Sequence, residues 1–234
     1  MSANAAVAVV TGANRGIGLE VARQLATRGH IVVLGSRDLS KGQAVADRLV
    51  QQGIEVLPRR LDVTKQDTID ALVGELSAVY GRLDILINNA AILYDTWQRA
   101  SSADLRVVQE ALDTNLFGAW RMCLSFLPLM RASGNGRIVN VSSGAGSITH
   151  MGGGTPAYSL SKAALNALTR MLASELQGDR ILVNAVCPGW VATDMGGSGG
   201  RPVREGAASV LWAVDLPPDG PTGGFFRDGR PLLW

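Results

Sequence analysis

Tyr158 and Lys162 stand four residues apart at the head of Ala157–Leu176, a stretch whose apolar spacing predicts a long helix. Four residues turn about 400° and rise about 6 Å, so both side chains share one helix face. A phenol ionises near pH ~10 and is a poor acid–base group at neutral pH. An ammonium beside it favours the phenolate and is expected to lower that value. Such a tyrosine can give a proton to a carbonyl oxygen during reduction and take it back during oxidation. Ser142 and Ser143 end a predicted strand, Arg137–Val141. A hydroxyl there can hold a substrate carbonyl in place for attack. The pattern Y-x-x-x-K by itself also arises by chance on amphipathic helices, and serines are common at strand ends.

A second group could hold phosphate. Thr11–Gly18 places Gly12, Gly16 and Gly18 in the spacing G-x-x-x-G-x-G, between an apolar run and a helix pattern. Glycines allow a sharp turn and a close backbone approach, and the helix N-terminus offers free amides to a pyrophosphate. No Gly-Lys-Ser/Thr follows, so this is not a phosphate-loop NTPase. Gly196–Gly200 fits G-x-S-x-G, but no apolar strand precedes it and no histidine follows His150, which excludes a hydrolase nucleophile elbow.

The elements that must position these groups alternate along the chain. Strands are expected at Ala5–Val10, Ile31–Leu34, Glu55–Val63, Leu83–Ile87, Arg137–Val141 and Ile181–Val186, with a seventh at Gly224–Arg227. Between them, Ile17, Val21 and Leu25 mark one helix, and Val45 with Leu49 another. Ile69, Leu72, Val73, Leu76 and Val79 mark a third, which Thr64 and Asp67 are expected to cap. A long helical stretch covers Ala103–Arg131. This order argues an α/β fold: a single Rossmann-type domain, residues 1–234, with a doubly wound parallel sheet of about seven strands and helices on both faces. In such sheets ligands bind beyond the carboxyl ends of the strands, where the glycine turn and the serines lie.

Composition narrows the class. The chain is 47% hydrophobic and 18% charged with net charge +2, and glycine supplies 28 of 234 residues against a usual ~7%. Disorder is excluded, and no basic block marks a nucleic-acid binder. No apolar run reaches the ~18–20 residues of a membrane span, and the start shows no basic leader. Cys123 and Cys187 form no metal or CxxC spacing, and His30 and His150 are the only histidines. No metal is therefore expected, and a reducing, cytoplasmic setting is.

Taken together, T-G-x-x-x-G-x-G at Thr11–Gly18, N-N-A-A at Asn88–Ala91, V-S-S at Val141–Ser143, Y-x-x-x-K at Tyr158–Lys162 and P-G at Pro188–Gly189 resemble the short-chain dehydrogenase/reductase family. The wording TGANRGIG, Ser36-Arg37-Asp38 and the near-terminal GPTGGFF resemble its carbonyl-reductase branch. The resemblance implies catalytic roles for Asn115, Ser143, Tyr158 and Lys162, with Lys162 also bonding a cofactor ribose. It implies that Gly12, Asn14, Arg15, Gly16, Ile17 and Gly18 hold the pyrophosphate turn. Asp62 and Val63 would meet the adenine, Asn89 and Ala90 the adenosine ribose, and Pro188, Gly189, Val191 and Thr193 the nicotinamide. Two departures stand out: Ala91 replaces the usual glycine, and Ser143 lies fifteen residues before Tyr158, slightly farther than is usual. The extra length leaves open whether Ser142 or Ser143 faces the substrate.

NADPH/NADP+ is the expected cofactor. Folds that prefer NAD place a carboxylate after the second strand; here Ser36 and Arg37 stand there, and Arg15 can approach the same 2′-phosphate. A guanidinium grips phosphate oxygens that a carboxylate would repel. The expected substrate is an apolar ketone or aldehyde, met by 144–156, Tyr94–Trp97 and 189–205, with Trp97, Met151, Trp190 and Met195 prominent. Two rivals remain open. One is a reductase of carrier-bound 3-oxoacyl chains, docking through Arg201 and Arg204; the other is a non-enzymatic NADP-binding regulator. No nucleic-acid or membrane partner is expected. A homo-oligomer, dimer or tetramer, is expected because monomeric relatives carry an insertion between serine and tyrosine that this chain lacks. Phe117, Trp120, Met122 and Phe126 are candidates for its interface.

Overall fold

The computed structural model describes residues 5–92 and 94–234; residues 1–4, read above as leaderless, lie outside it. Among the described residues, eight strands form one sheet: β1 Val7–Val10, β2 Ile31–Ser36, β3 Leu57–Arg60, β4 Ile85–Asn88, β5 Gly136–Val141, β6 Ile181–Val186, β7 Phe225–Arg227 and β8 Arg230–Pro231. Their order is β3-β2-β1-β4-β5-β6-β7-β8. All pairs are parallel except β7–β8, a short hairpin missed in the sequence because it adds only two residues. The third strand is shorter than expected and lies at the sheet edge, where Pro58 needs no ladder donor.

Seven α-helices of the described residues cover the sheet: α1 Gly16–Thr27, α2 Leu39–Val50, α3 Gln66–Val79, α4 Leu105–Leu112, α5 Ala119–Ser133, α6 Pro156–Glu175 and α7 Val203–Val214. Strand side chains alternate between two apolar layers. Val7, Val9 and Leu86 pack with α3, α5 and α6, while Ala8, Val10, Ile85 and Ile87 pack with α1, α2 and α7. This two-sided burial is why the strands read as continuous apolar runs.

Three expectations are corrected here. The stretch 103–131 is not one helix: α4 and α5 are joined by a π-helical turn at Asp113–Gly118. Asn115 sits in that turn, and Gly118 lets it approach β3's exit, since a Cβ there would meet Val63 Cγ2 at 2.6 Å. Thr64 does not cap α3. Its amide and hydroxyl both donate to Asp62, and the cap position is Lys65 with no side-chain bond. Met122 and Phe126 are wholly buried in the core, whereas Phe117 is exposed.

Sheet order reverses between β2-β1 and β4-β5, so the connections leaving β1 and β4 diverge and open a crevice. Thr11 closes its floor: its hydroxyl donates to the Ile87 carbonyl and accepts from the amides of Asn89 and Ala90.

Candidate active site

A cleft of about 440 Å³ lies above these strand ends. Gly12, Asn14, Arg15, Gly16 and Ile17 line one wall, and Arg37, Asp62 and Val63 line its outer end. Asn89, Ala90, Tyr158, Lys162, Pro188 and Thr193 complete it. Gly12 and Gly16 have φ of +62° and +56°, a left-handed backbone suited to glycine. A Cβ on Gly12 would also stand 3.0 Å from the Ala90 Cα. The first turn of α1 has neither a side-chain cap nor an acidic residue, so its amides stay free to take an anion.

Gly18 does not line the cleft. A side chain there would collide with the Asn89 side-chain amide and the Gly12 carbonyl, so its smallness serves packing. Ser36 does not open into it either: it is buried, and its hydroxyl donates to the Asp38 carbonyl at 2.7 Å. Asp38 in turn caps α2, accepting from the amides of Ser40 and Lys41. Arg15 leans across the opening to Asp194, with 2.6 Å between nitrogen and oxygen, rather than toward Arg37. Gly189 has φ +79° and turns the chain as β6 ends, while Val191 is buried beneath the loop.

The catalytic candidates converge from three elements. Tyr158 and Lys162 share a face of α6, with the ammonium 5.5 Å from the ring centre. Lys162 is buried and donates to the Val141 carbonyl at 2.8 Å. The Ser143 side chain, at the exit of β5, stands close enough to the phenol to lower its pKa, and its hydroxyl accepts from the Ala145 amide at 3.2 Å. Ser142 points the other way, donating to Asn166 at 2.6 Å in the interior. The two side chains point apart, as consecutive residues at a strand end do, while Ser142 also lines the cleft. Asn115 accepts from the Ile92 amide and donates to the Ile92 carbonyl and the Ser161 hydroxyl.

Electrostatics here differ from expectation. Burial pushes the Tyr158 phenol up to about 12; the nearby Ser143 hydroxyl opposes the rise, and Cys187 and Tyr94 add to it. Burial also pushes Lys162 down to about 8. The expected lowering of the phenol does not appear, because loss of solvent penalises the charged form of both groups. Met195 lines the cleft as expected, together with Asp194 from the same segment; Thr114, which no motif in the sequence marked, lines it too.

The family profile described as short chain dehydrogenase matches residues 6–202. The chain belongs to that family. Among curated relatives of this dehydrogenase, NADPH carbonyl reductase 1 of Bos taurus is 35% identical, with all of both chains covered. That alignment spans 282 positions against the 234 residues here, so the bovine protein carries segments this chain lacks. The NADPH-bound carbonyl reductase from chicken fatty liver superposes with a TM-score of 0.86 at 29% identity, over 98% of each chain. Salutaridine reductase from Papaver somniferum gives 0.85 at 30% identity, over 95% of this chain and 99% of its own. Among the described residues, no helix is long and apolar enough to cross a membrane.

Proposed function

We propose that this dehydrogenase reduces the carbonyl of a mainly apolar ketone or aldehyde with NADPH, and that Tyr158 supplies the proton. The observation that carries this reading is a glycine-walled cleft lined by both Tyr158 and Lys162 and by Arg37, with Ser143 beside the phenol. The dinucleotide, when bound, supplies a hydride to the carbonyl carbon. Ser143 holds the carbonyl oxygen, and Tyr158 gives that oxygen its phenolic proton, leaving an alcohol and a phenolate. Lys162, at 5.5 Å from the ring, stabilises that phenolate. Asn115 fixes the Ile92 backbone beside them.

Along the cofactor, the free amides of α1 suit the pyrophosphate. Asp62 faces the adenine end, and Asn89 with Ala90 the adjoining ribose. Pro188, Gly189, Val191 and Thr193 frame the nicotinamide end. Apolar specificity is supported by Met195 in the wall and by half-exposed Tyr94, which packs on the Tyr158 ring. The carrier-protein alternative loses one of its two docking cations, because Arg201 is held bidentately by Asp228 at 2.9 Å. A screen of apolar ketones, aldehydes and short sugars, followed by loss of NADPH absorbance, tests the assignment. Turnover confined to the apolar carbonyls supports it, and turnover confined to sugars or acids overturns it.

The whole span 1–234 acts as one catalytic unit in this reading, in the cytoplasm, and as a homo-oligomer. Phe117 and Leu124 on one side, with Leu160 and Met171 on α6, stay exposed and apolar. Light scattering at micromolar concentration is expected to show a dimer or tetramer; a lone species of 24.6 kDa counts against it.

A further inference from the structure

The segment leaving β4 grips α6 at the residue that bears the chemistry. Asp95 is fully buried, and its carboxylate lies in the first turn of α6 although sixty-two residues separate it from Ala157. One oxygen accepts from the Tyr158 amide at 3.1 Å, the other from the Ala157 amide at 3.0 Å. The same second oxygen accepts from Gln98 Nε2 at 3.0 Å, and Gln98 is in turn fixed by the Asp104 amide at 2.7 Å. The residue at the helix's own cap position, Thr155, makes no capping bond. It is held at φ +48°, a left-handed conformation that a β-branched residue strongly disfavours. A helix that starts at a strained residue with no local cap would fray at its first turn. Tyr158 lies in that turn.

The ring is held from the same segment. Tyr94 meets Tyr158 edge to face, with centres 5.1 Å apart and planes at 88°. The near end of the segment is tied down by Asn115, which bonds both backbone groups of Ile92.

We propose that Asp95 is a positioning residue for Tyr158, acting as the cap of α6 from a distant part of the chain and fixing where the phenol stands relative to Ser143. This deepens the reading of Tyr158 as proton donor and rests on it. The carboxylate does not touch substrate or cofactor; it acts through the backbone amide of the tyrosine. A displacement of about 1 Å at a reacting group can cost about a hundredfold in rate. Removing the cap lets the first turn loosen by such amounts while leaving the glycine turn and its ligand contacts intact.

The test uses Asp95→Ala and Asp95→Asn, measured for turnover, KM for carbonyl, and NADPH affinity by fluorescence titration. Asp95→Ala is expected to lower kcat about ten- to a hundredfold, with NADPH affinity within about twofold of wild type. Asp95→Asn keeps one oxygen for the Tyr158 amide and is expected to fall between wild type and Asp95→Ala. A second readout needs no turnover: the ultraviolet titration of the three tyrosines, with Tyr158→Phe as the subtraction. In Asp95→Asn the phenol of Tyr158 should titrate below its wild-type value, because a loosened turn lets water reach it. Unchanged kcat and unchanged titration in the variants overturn the proposal. So does a kcat loss matched by an equal loss of NADPH affinity, which marks general damage. An altered titration in a protein that reduces no carbonyl would instead overturn the catalytic reading and leave the positioning role standing.

Discussion

Tyr158→Phe is expected to fold, to keep its affinity for NADPH, and to lose about 10²–10⁴-fold in turnover, the usual worth of a positioned acid–base group. The substitution removes one oxygen and little else. The ring keeps its edge contact with Tyr94 and its place beside the Lys162 ammonium. What disappears is the proton that carbonyl reduction needs. The pH dependence of wild type checks the same assignment from another side. With its phenol pushed up to about 12, Tyr158 stays protonated across the neutral range. Reduction, which consumes that proton, should therefore be insensitive to this group near neutrality. Alcohol oxidation needs the phenolate and should rise with pH through the alkaline range. Tyr158→Phe with near-normal turnover, or oxidation that falls as pH rises, refutes the mechanism.

How much of this could be read from the chain depends on how local each signal is. The strands buried on both faces announce themselves as apolar runs, and Gly12 and Gly16 announce a turn that needs a left-handed backbone. Tyr158 and Lys162 share a face because helix geometry alone demands it. Signals that depend on distant partners were not legible. The direction of the Ser142 side chain depends on Asn166, twenty-four residues farther on. Asp95 is an isolated carboxylate in sequence and becomes meaningful only when α6 arrives above it. The π-helical turn at Asp113–Gly118 inserts an extra residue without breaking apolar periodicity enough to be noticed. The phenol's pKa was misjudged for a related reason: proximity of Lys162 is visible in the spacing, but depth of burial is not.

The cofactor preference is where the structure sharpens the sequence reading most. Arg37 lines the outer end of the cleft, while Ser36 is buried with its proton already given to the Asp38 carbonyl. Arg37 is therefore expected to carry the larger share of the discrimination, with Ser36 able to help only once its hydroxyl turns from the Asp38 carbonyl. Arg15 is engaged by Asp194 and must leave that exposed pair before it can help; an exposed ion pair is worth at most ~1 kcal/mol, so the exchange is cheap. One charge-assisted hydrogen bond contributes roughly 1.5–3 kcal/mol, and ~1.4 kcal/mol is a factor of ten. Wild type is therefore expected to favour NADPH over NADH by about ten- to a hundredfold in kcat/KM. Arg37→Ala should remove most of that preference by weakening NADPH alone. Adding Ser36→Asp should invert it, because a carboxylate at the end of β2 would repel a 2′-phosphate beside Arg37. Steady-state kinetics with both cofactors decide the matter. Equal use of NADH by wild type, or an NADPH preference that survives in the Ser36→Asp, Arg37→Ala double variant, would place the phosphate pocket elsewhere.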